Sequence, residues 1–150
     1  MYSKQEASVI RKNFWTSFGQ YMKPVMNAEG EPVNWLNYKT GIKNLFFRMD
    51  ADNRQASIAI EITGTDADER KNLFTHFEQL KNIFESSIGE DWLWQKNLTD
   101  EHGKSFCRIS TTITNVNVFN NNDWPAIISF FKPRIIALDE FWLLVKDGFY

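Results

Sequence analysis

The chain has a single cysteine, Cys107, so no disulfide can form within it. Lying between Phe106 and Arg108 in a stretch of strand type, Cys107 is expected to be a small core hydrophobe, not a nucleophile. Histidine is almost as scarce. His76 and His102 fall in different segments, and no H-x-x-x-H, C-x-x-C or H-E-x-x-H spacing sets metal ligands on one face. His76 lies off the apolar stripe of its segment and is expected at a rim or in solvent. The seven glycines are scattered singly, which excludes the Gly-rich loops whose backbone N–H groups close around a phosphate. No G-x-S-x-G elbow marks a serine hydrolase. The acidic runs "DADN" (Asp50 to Asn53) and "TDAD" (Thr65 to Asp68) lack the later Gly and Glu of a calcium loop and read as a turn and a helix cap. No cofactor or metal is expected.

Charge of one sign is also missing. A formal net charge of −2 gives no overall field that would draw in nucleic acid or an anionic membrane, although it says nothing of local patches. No apolar run approaches the ~18 residues of a membrane span; "IIALDEFWLLV" is broken by Asp139 and Glu140. The start, "MYSKQEASVIRKNF", lacks the apolar core of a signal peptide. A soluble cytoplasmic protein with no membrane partner is the expectation.

Aromatic residues are abundant. They make up 15% of 150 residues, with 13 Phe and 6 Trp, in a chain that is 43% hydrophobic. A chain of this length buries about two thirds of its unfolded surface as one domain. With no repeat or long linker in it, residues 1–150 are read as a single domain.

Ser3 and Glu6 form an S-x-x-E capping box, and Ala7, Ile10, Phe14, Phe18 and Tyr21 follow on one helical face. Pro24 ends that helix. "VNWLNY" (33–38), "IKNLFFRM" (42–49) and "QASIAIEIT" (55–63) read as three strands joined by short turns, hence antiparallel. In the last of them, Ala56, Ile58, Ile60 and Ile62 line one face and Ser57, Ala59, Glu61 and Thr63 the other. Thr65 or Asp66 caps a second helix. Leu73, Phe77, Leu80, Phe84 and Ile88 form its stripe, Phe74 and Ile83 widen it, and Gly89 ends it. "DWLWQ" then switches to period two, with Trp92 and Trp94 opposite Leu93. "KSFCRISTTITNVNVF" (104–119) reads as one long strand, broken near Asn115. A last helix starts at Asn122 or Asp123, with Pro125 in its first turn. Pro133 is expected to kink or split it, leaving Ile135, Leu138, Phe141, Trp142 and Val145 buried. The sum is an α+β fold: a sheet of about five mainly antiparallel strands packed by three helices, in the order α-β-β-β-α-β-β-α.

"FWTSFGQYM", "NWLNYKTGIKNLFFRM" and "ERKNLFTHFEQLKNIFESSIGEDWLWQ" together resemble a bacterial family of domains of unknown function, the one numbered 4268. The resemblance spans most of the chain and rests on aromatic and turn patterns. It implies a domain that stands alone or follows nuclease-like domains, and so an association with defence or nucleic-acid processing. It implies no established activity and no catalytic residues.

Two candidate sites remain. Trp35, Tyr38, Lys39, Lys43 and Arg48 gather basic and aromatic side chains in the first hairpin, as a single-strand platform needs. The helix–three strands–helix–strand order is also that of a restriction-endonuclease-like core (αβββαβ). There, Asp50 and Glu61 would be metal ligands, yet Thr63 stands where such a site has its lysine. The reading is therefore a non-enzymatic interaction module acting on another protein or a nucleic acid, with a homodimer also open. The alternative is a degenerate nuclease with Asp50 and Glu61 as its remnant metal site.

Overall fold

Ser3 opens the first helix as its capping box requires. In the computed structural model, which describes residues 2–150, its hydroxyl accepts the Glu6 N–H at 3.1 Å while the Glu6 carboxylate accepts the Ser3 N–H at 3.4 Å. Helix α1 (Lys4–Met22) buries Phe14, Phe18 and Met22, one per turn. Tyr21, expected on that face, is half exposed, because the stripe drifts around the helix to Met22.

The next segment corrects the expected order. Residues 33–38 form no strand. The Asn34 side-chain oxygen accepts the N–H groups of Leu36 and Asn37 at 3.2 and 3.1 Å, a local turn that competes with any sheet ladder. The whole stretch from Lys23 to Asn44 is a strap pinned by side chains. The Trp35 indole donates to the Val25 carbonyl at 2.9 Å, and that of Trp142 donates to the Thr40 carbonyl at 3.0 Å.

Strands β1 (Leu45–Ala51) and β2 (Gln55–Ile62) form an antiparallel hairpin. Its turn is tied by Asp52, whose carboxylate accepts the N–H groups of Arg54 and Gln55. Asp66 caps α2 (Ala67–Gln79). The expected single helix breaks at Leu80, and α3 (Lys81–Ile88) carries the stripe on to Gly89, left-handed at φ 78°. Phe77 and Phe84 stay fully buried across the break, whereas Ile83 faces solvent instead of widening the stripe. Strands β3 (Leu93–Thr99) and β4 (Ser105–Thr114) follow, paired antiparallel with a bulge between Gln95 and Leu98. Asn115 ends β4 at φ 62°.

The last helix, α4 (Trp124–Val145), runs unbroken through Pro133. Both Pro133 and Ser129, whose carbonyl loses its partner, lie on the solvent side, so water can replace the missing bond. Along the opposite side Phe130, Phe131, Ile135, Leu138, Phe141, Trp142 and Val145 are buried, which holds both halves in place.

The order is therefore α-β-β-α-α-β-β-α: four strands and four helices where five and three were expected. The strands form one antiparallel sheet in the order β1-β2-β4-β3. Alternation along the strands sends Phe47, Ile58, Ile60, Ile62, Cys107 and Ile109 to one face, and the helices pack against it. Phe84 sits at its centre, edge-on to Trp92, Trp94 and Phe141 at centroid distances of 5.2, 5.6 and 5.2 Å. Such pairs add about 0.5–1.5 kcal/mol each beyond their area. The stripe from Leu73 to Trp94 is thus core and not a groove. Among the described residues, no helix is long and apolar enough to cross a membrane.

Candidate functional site: the uncovered face of the sheet

Residues of the opposite parity point away from the helices. On β1 these are Phe46, Arg48 and Asp50, all exposed. The register sets Phe46, Glu61 and Arg108 side by side across β1, β2 and β4, with Arg48, Ala59 and Ser110 in the next row. Leu93 on β3 stands beside Ser110 and is 59% exposed. Among the described residues, no helix covers this face.

Two arginines share one carboxylate there. Arg48 Nε lies 3.1 Å from Glu61 Oε1, and Arg108 Nε lies 3.5 Å from Glu61 Oε2. The Arg48 guanidinium also rests on the Phe46 ring, 4.5 Å from its centroid. Arg108 stretches along the sheet and donates through Nη2 to the Ser57 hydroxyl at 3.1 Å, while its buried Nε–H completes no hydrogen bond. This span passes over Ala59, which is only 1% exposed on a face no helix roofs. The absence of a larger side chain at Ala59 is what lets the arginine stem lie flat.

Beyond Glu61 the face runs into a groove of about 710 Å³, walled by Phe46 and Phe106 and rimmed by Arg70 and Lys104. Arg70 is held by donating to the Gly64 carbonyl at 2.6 Å. Three cations (Arg48, Arg70 and Lys104) line the groove against two carboxylates, and both carboxylates are already engaged. Glu61 is bracketed by its arginines. Asp100 accepts the backbone N–H groups of Lys104 and His102, which hold it below the ordinary carboxylate range. The surplus donors face the groove.

The residues singled out in the sequence are dispersed. Trp35 is 3% exposed and packs in the core. Tyr38 is half-buried and donates its hydroxyl to Asp139 at 2.5 Å; burial, then that carboxylate, push its phenol far above the usual range. Lys39 lines a separate polar cavity of about 330 Å³ beside Tyr38 and Asp139, and Lys43 is exposed ahead of β1. Arg48 alone of that cluster lies on the open face.

Asp50 and Glu61 share the face but not a site. Asp50 pairs with Ser57, four positions along β2 from Glu61, so their α-carbons stand about 14 Å apart at ~3.4 Å per residue. One divalent ion cannot bridge them. Among the described residues no group of three or more His, Cys, Asp or Glu is placed to hold a metal. Cys107 is buried on the helix side, and burial raises its pKa against the pull of Arg70 and Lys96. His76 is half-buried and stacks on Phe149 at 4.1 Å.

Phe106, Arg108, Arg70 and Lys104 were not singled out in the sequence. A signal for two of them was present: in "SFCRIST", Phe106 and Arg108 share the parity opposite to Cys107 and Ile109. That β4 lies beside β2 is not written in any local pattern.

The class so defined is an α+β domain whose four-stranded antiparallel sheet is roofed by helices on one side and carries arginine and phenylalanine on its bare side. Residues 10–146 match the family described as Domain of unknown function (DUF4268), and the chain belongs to that family. No curated protein and no solved structure matches it.

Proposed function

We propose that the chain is a non-catalytic binding module that holds an anionic macromolecular partner against the bare side of its sheet. The observation that carries this reading is the shared carboxylate. Glu61 serves both Arg48 and Arg108, and the adjoining groove adds Arg70 and Lys104 against Asp100, so the end of the face away from Asp50 keeps positive charge although the whole chain is slightly acidic. Charge placed on one face steers and orients a partner in a way that net charge does not. The exposed Phe46 and Leu93 add apolar surface to this face. The association with nucleic-acid processing implied by the family resemblance suits a partner of this charge.

Retention on an immobilised polyanion such as heparin tests it. Arg48→Ala combined with Lys104→Ala should elute at lower salt than the wild type. Lys12→Ala combined with Lys23→Ala removes the same charge in and just past α1, on the roofed side, and should change retention much less. Equal shifts for the two pairs would reduce the reading to non-specific charge.

A further inference from the structure

Resting on that reading, we infer that the anionic partner is a single-stranded nucleic acid, bound across the groove between Phe46 and Phe106. Charge alone would suit an acidic peptide equally well; the flat surfaces decide. Phe46 is 38% exposed with the Arg48 guanidinium laid over its ring at 4.5 Å. The guanidinium covers one face of the ring, so an unpaired base arriving there stacks on the guanidinium, itself a plane on which bases are held. Phe106 lines the same groove. A chain of acidic side chains has no aromatic face to stack on either surface.

Register fixes the spacing. Phe46 is level with Arg108 across two strand gaps, and Phe106 lies two residues further along β4. Strand gaps of about 4.8 Å and a rise of about 3.4 Å per residue put the two α-carbons ~12 Å apart. Stacked bases are about 3.4 Å apart along a strand, so one base cannot meet both rings, and each ring takes a separate base face of the strand. A duplex keeps its base faces against one another and offers none to Phe46 or Phe106. Arg70 and Lys104 line the same groove and are where the connecting phosphates fall.

The probes are fluorescein-labelled oligodeoxyuridylate and oligouridylate of about 12 nucleotides, within the span such surfaces occupy. They are compared with an abasic strand carrying the same number of phosphates, a blunt duplex and a polyglutamate peptide. Fluorescence anisotropy at low salt should show both single strands bound, with the abasic strand, duplex and peptide at least about fivefold weaker, the low end of one lost base stack. The 2′-hydroxyl distinguishes the two strands, and whichever binds more tightly names the natural source. Phe46→Ala and Phe106→Ala should each weaken binding between about fivefold and about 150-fold. Phe46→Ala removes an exposed ring, so its thermal melt should match the wild type and exclude unfolding as the cause. Arg70→Ala should weaken the abasic and intact strands by the same factor. Abasic and intact strands binding equally would overturn the inference while leaving a polyanion-binding face. Tighter binding of polyglutamate would overturn it in favour of an acidic protein. Failure of every probe to bind would remove both this inference and the reading beneath it.

Discussion

Arg134 grips Glu90 through two parallel hydrogen bonds, Nε to Oε1 at 2.8 Å and Nη2 to Oε2 at 3.0 Å. Its remaining Nη1 donates to the Phe130 carbonyl at 3.0 Å, and its guanidinium lies 4.4 Å from the centre of the Phe130 ring. The Trp92 indole donates to the same Glu90 carboxylate at 3.0 Å. One carboxylate thus ties the turn between α3 and β3 to the middle of α4. This is the fork geometry in which arginine and carboxylate bind best.

Glu90→Gln tests how much this tie contributes. Charge-assisted hydrogen bonds are worth about 1.5–3 kcal/mol, but exposed ion pairs only about 0.2–1. The Glu90 side chain is about one third exposed, so a loss of about 1–2 kcal/mol is expected. Partial burial opposes ionisation of Glu90, yet Arg134 and Trp92 outweigh it and bring the pKa below its usual 4.5. A depressed folded pKa gives stability that is present above the unfolded value and lost as pH falls through the folded one. Urea midpoints of wild type and variant should therefore differ at pH 7 and converge below the folded-state pKa. A difference that survived in full under acid would mean that the pair does not act through its charge.

Asp139 does the same for the long strap. Buried in α4, it accepts the Tyr38 hydroxyl at one oxygen and the Ala28 N–H at the other, at 2.7 Å. Tyr38→Phe should cost about 1.5–3 kcal/mol, the worth of a hydrogen bond to a charged group. Asp139→Ala should cost more than Tyr38→Phe, because it removes the acceptor of both donors. The raised Tyr38 pKa has the opposite sign of linkage to that of Glu90. Its contribution is complete below the ordinary phenol value of 10.0 and disappears as pH rises through the folded value. Ultraviolet titration should show one of the four tyrosines refusing to ionise until the protein unfolds in alkali, and Tyr38→Phe should abolish that delayed step. Ionisation of the Tyr38 phenol near its ordinary value of 10.0 in the folded protein would count against the clamp.

What could be read from the residues was whatever is local. The Ser3–Glu6 box, the Asp66 cap, the left-handed Gly89 and the two faces of β2 each depend on neighbours within a turn or two, and each is present. "VNWLNY" was misread because alternating bulk looks like a strand whether or not an asparagine side chain has already captured the backbone N–H groups. The helix break at Leu80 left no mark, since Phe77 and Phe84 keep their inward direction across it. The candidate site failed for a different reason. Basic residues near aromatic ones in sequence need not be near them in space: Trp35 and Tyr38 turn inward to pack the strap. The aromatic partner of Arg48 is its own strand neighbour Phe46, while Phe106 and Arg108 arrive from β4, more than forty residues beyond the first hairpin. Pairing of β2 with β4 skips two helices and a strand, and nothing in "QASIAIEI" names its second neighbour.

Pro133 sits in the interior of a continuous helix, which makes it a place where the chain can be improved. An interior proline is about 3 kcal/mol less favourable than alanine, through the lost N–H and the clash with the carbonyl one turn earlier. Here that carbonyl belongs to Ser129, on the exposed side, and the next one, at Phe130, also receives the Arg134 guanidinium. Both circumstances reduce the penalty without removing it. Proline also stiffens the unfolded chain, which returns about 0.4–1 kcal/mol. Pro133→Ala should therefore stabilise the protein by about 1–2 kcal/mol, raising the melting temperature by a few degrees for a chain of this size. The measurement also tests the architecture. If α4 depended on a bend at Pro133 to fit the sheet, straightening it would displace Leu138, Phe141 and Trp142 from the core, and the melting temperature would fall instead.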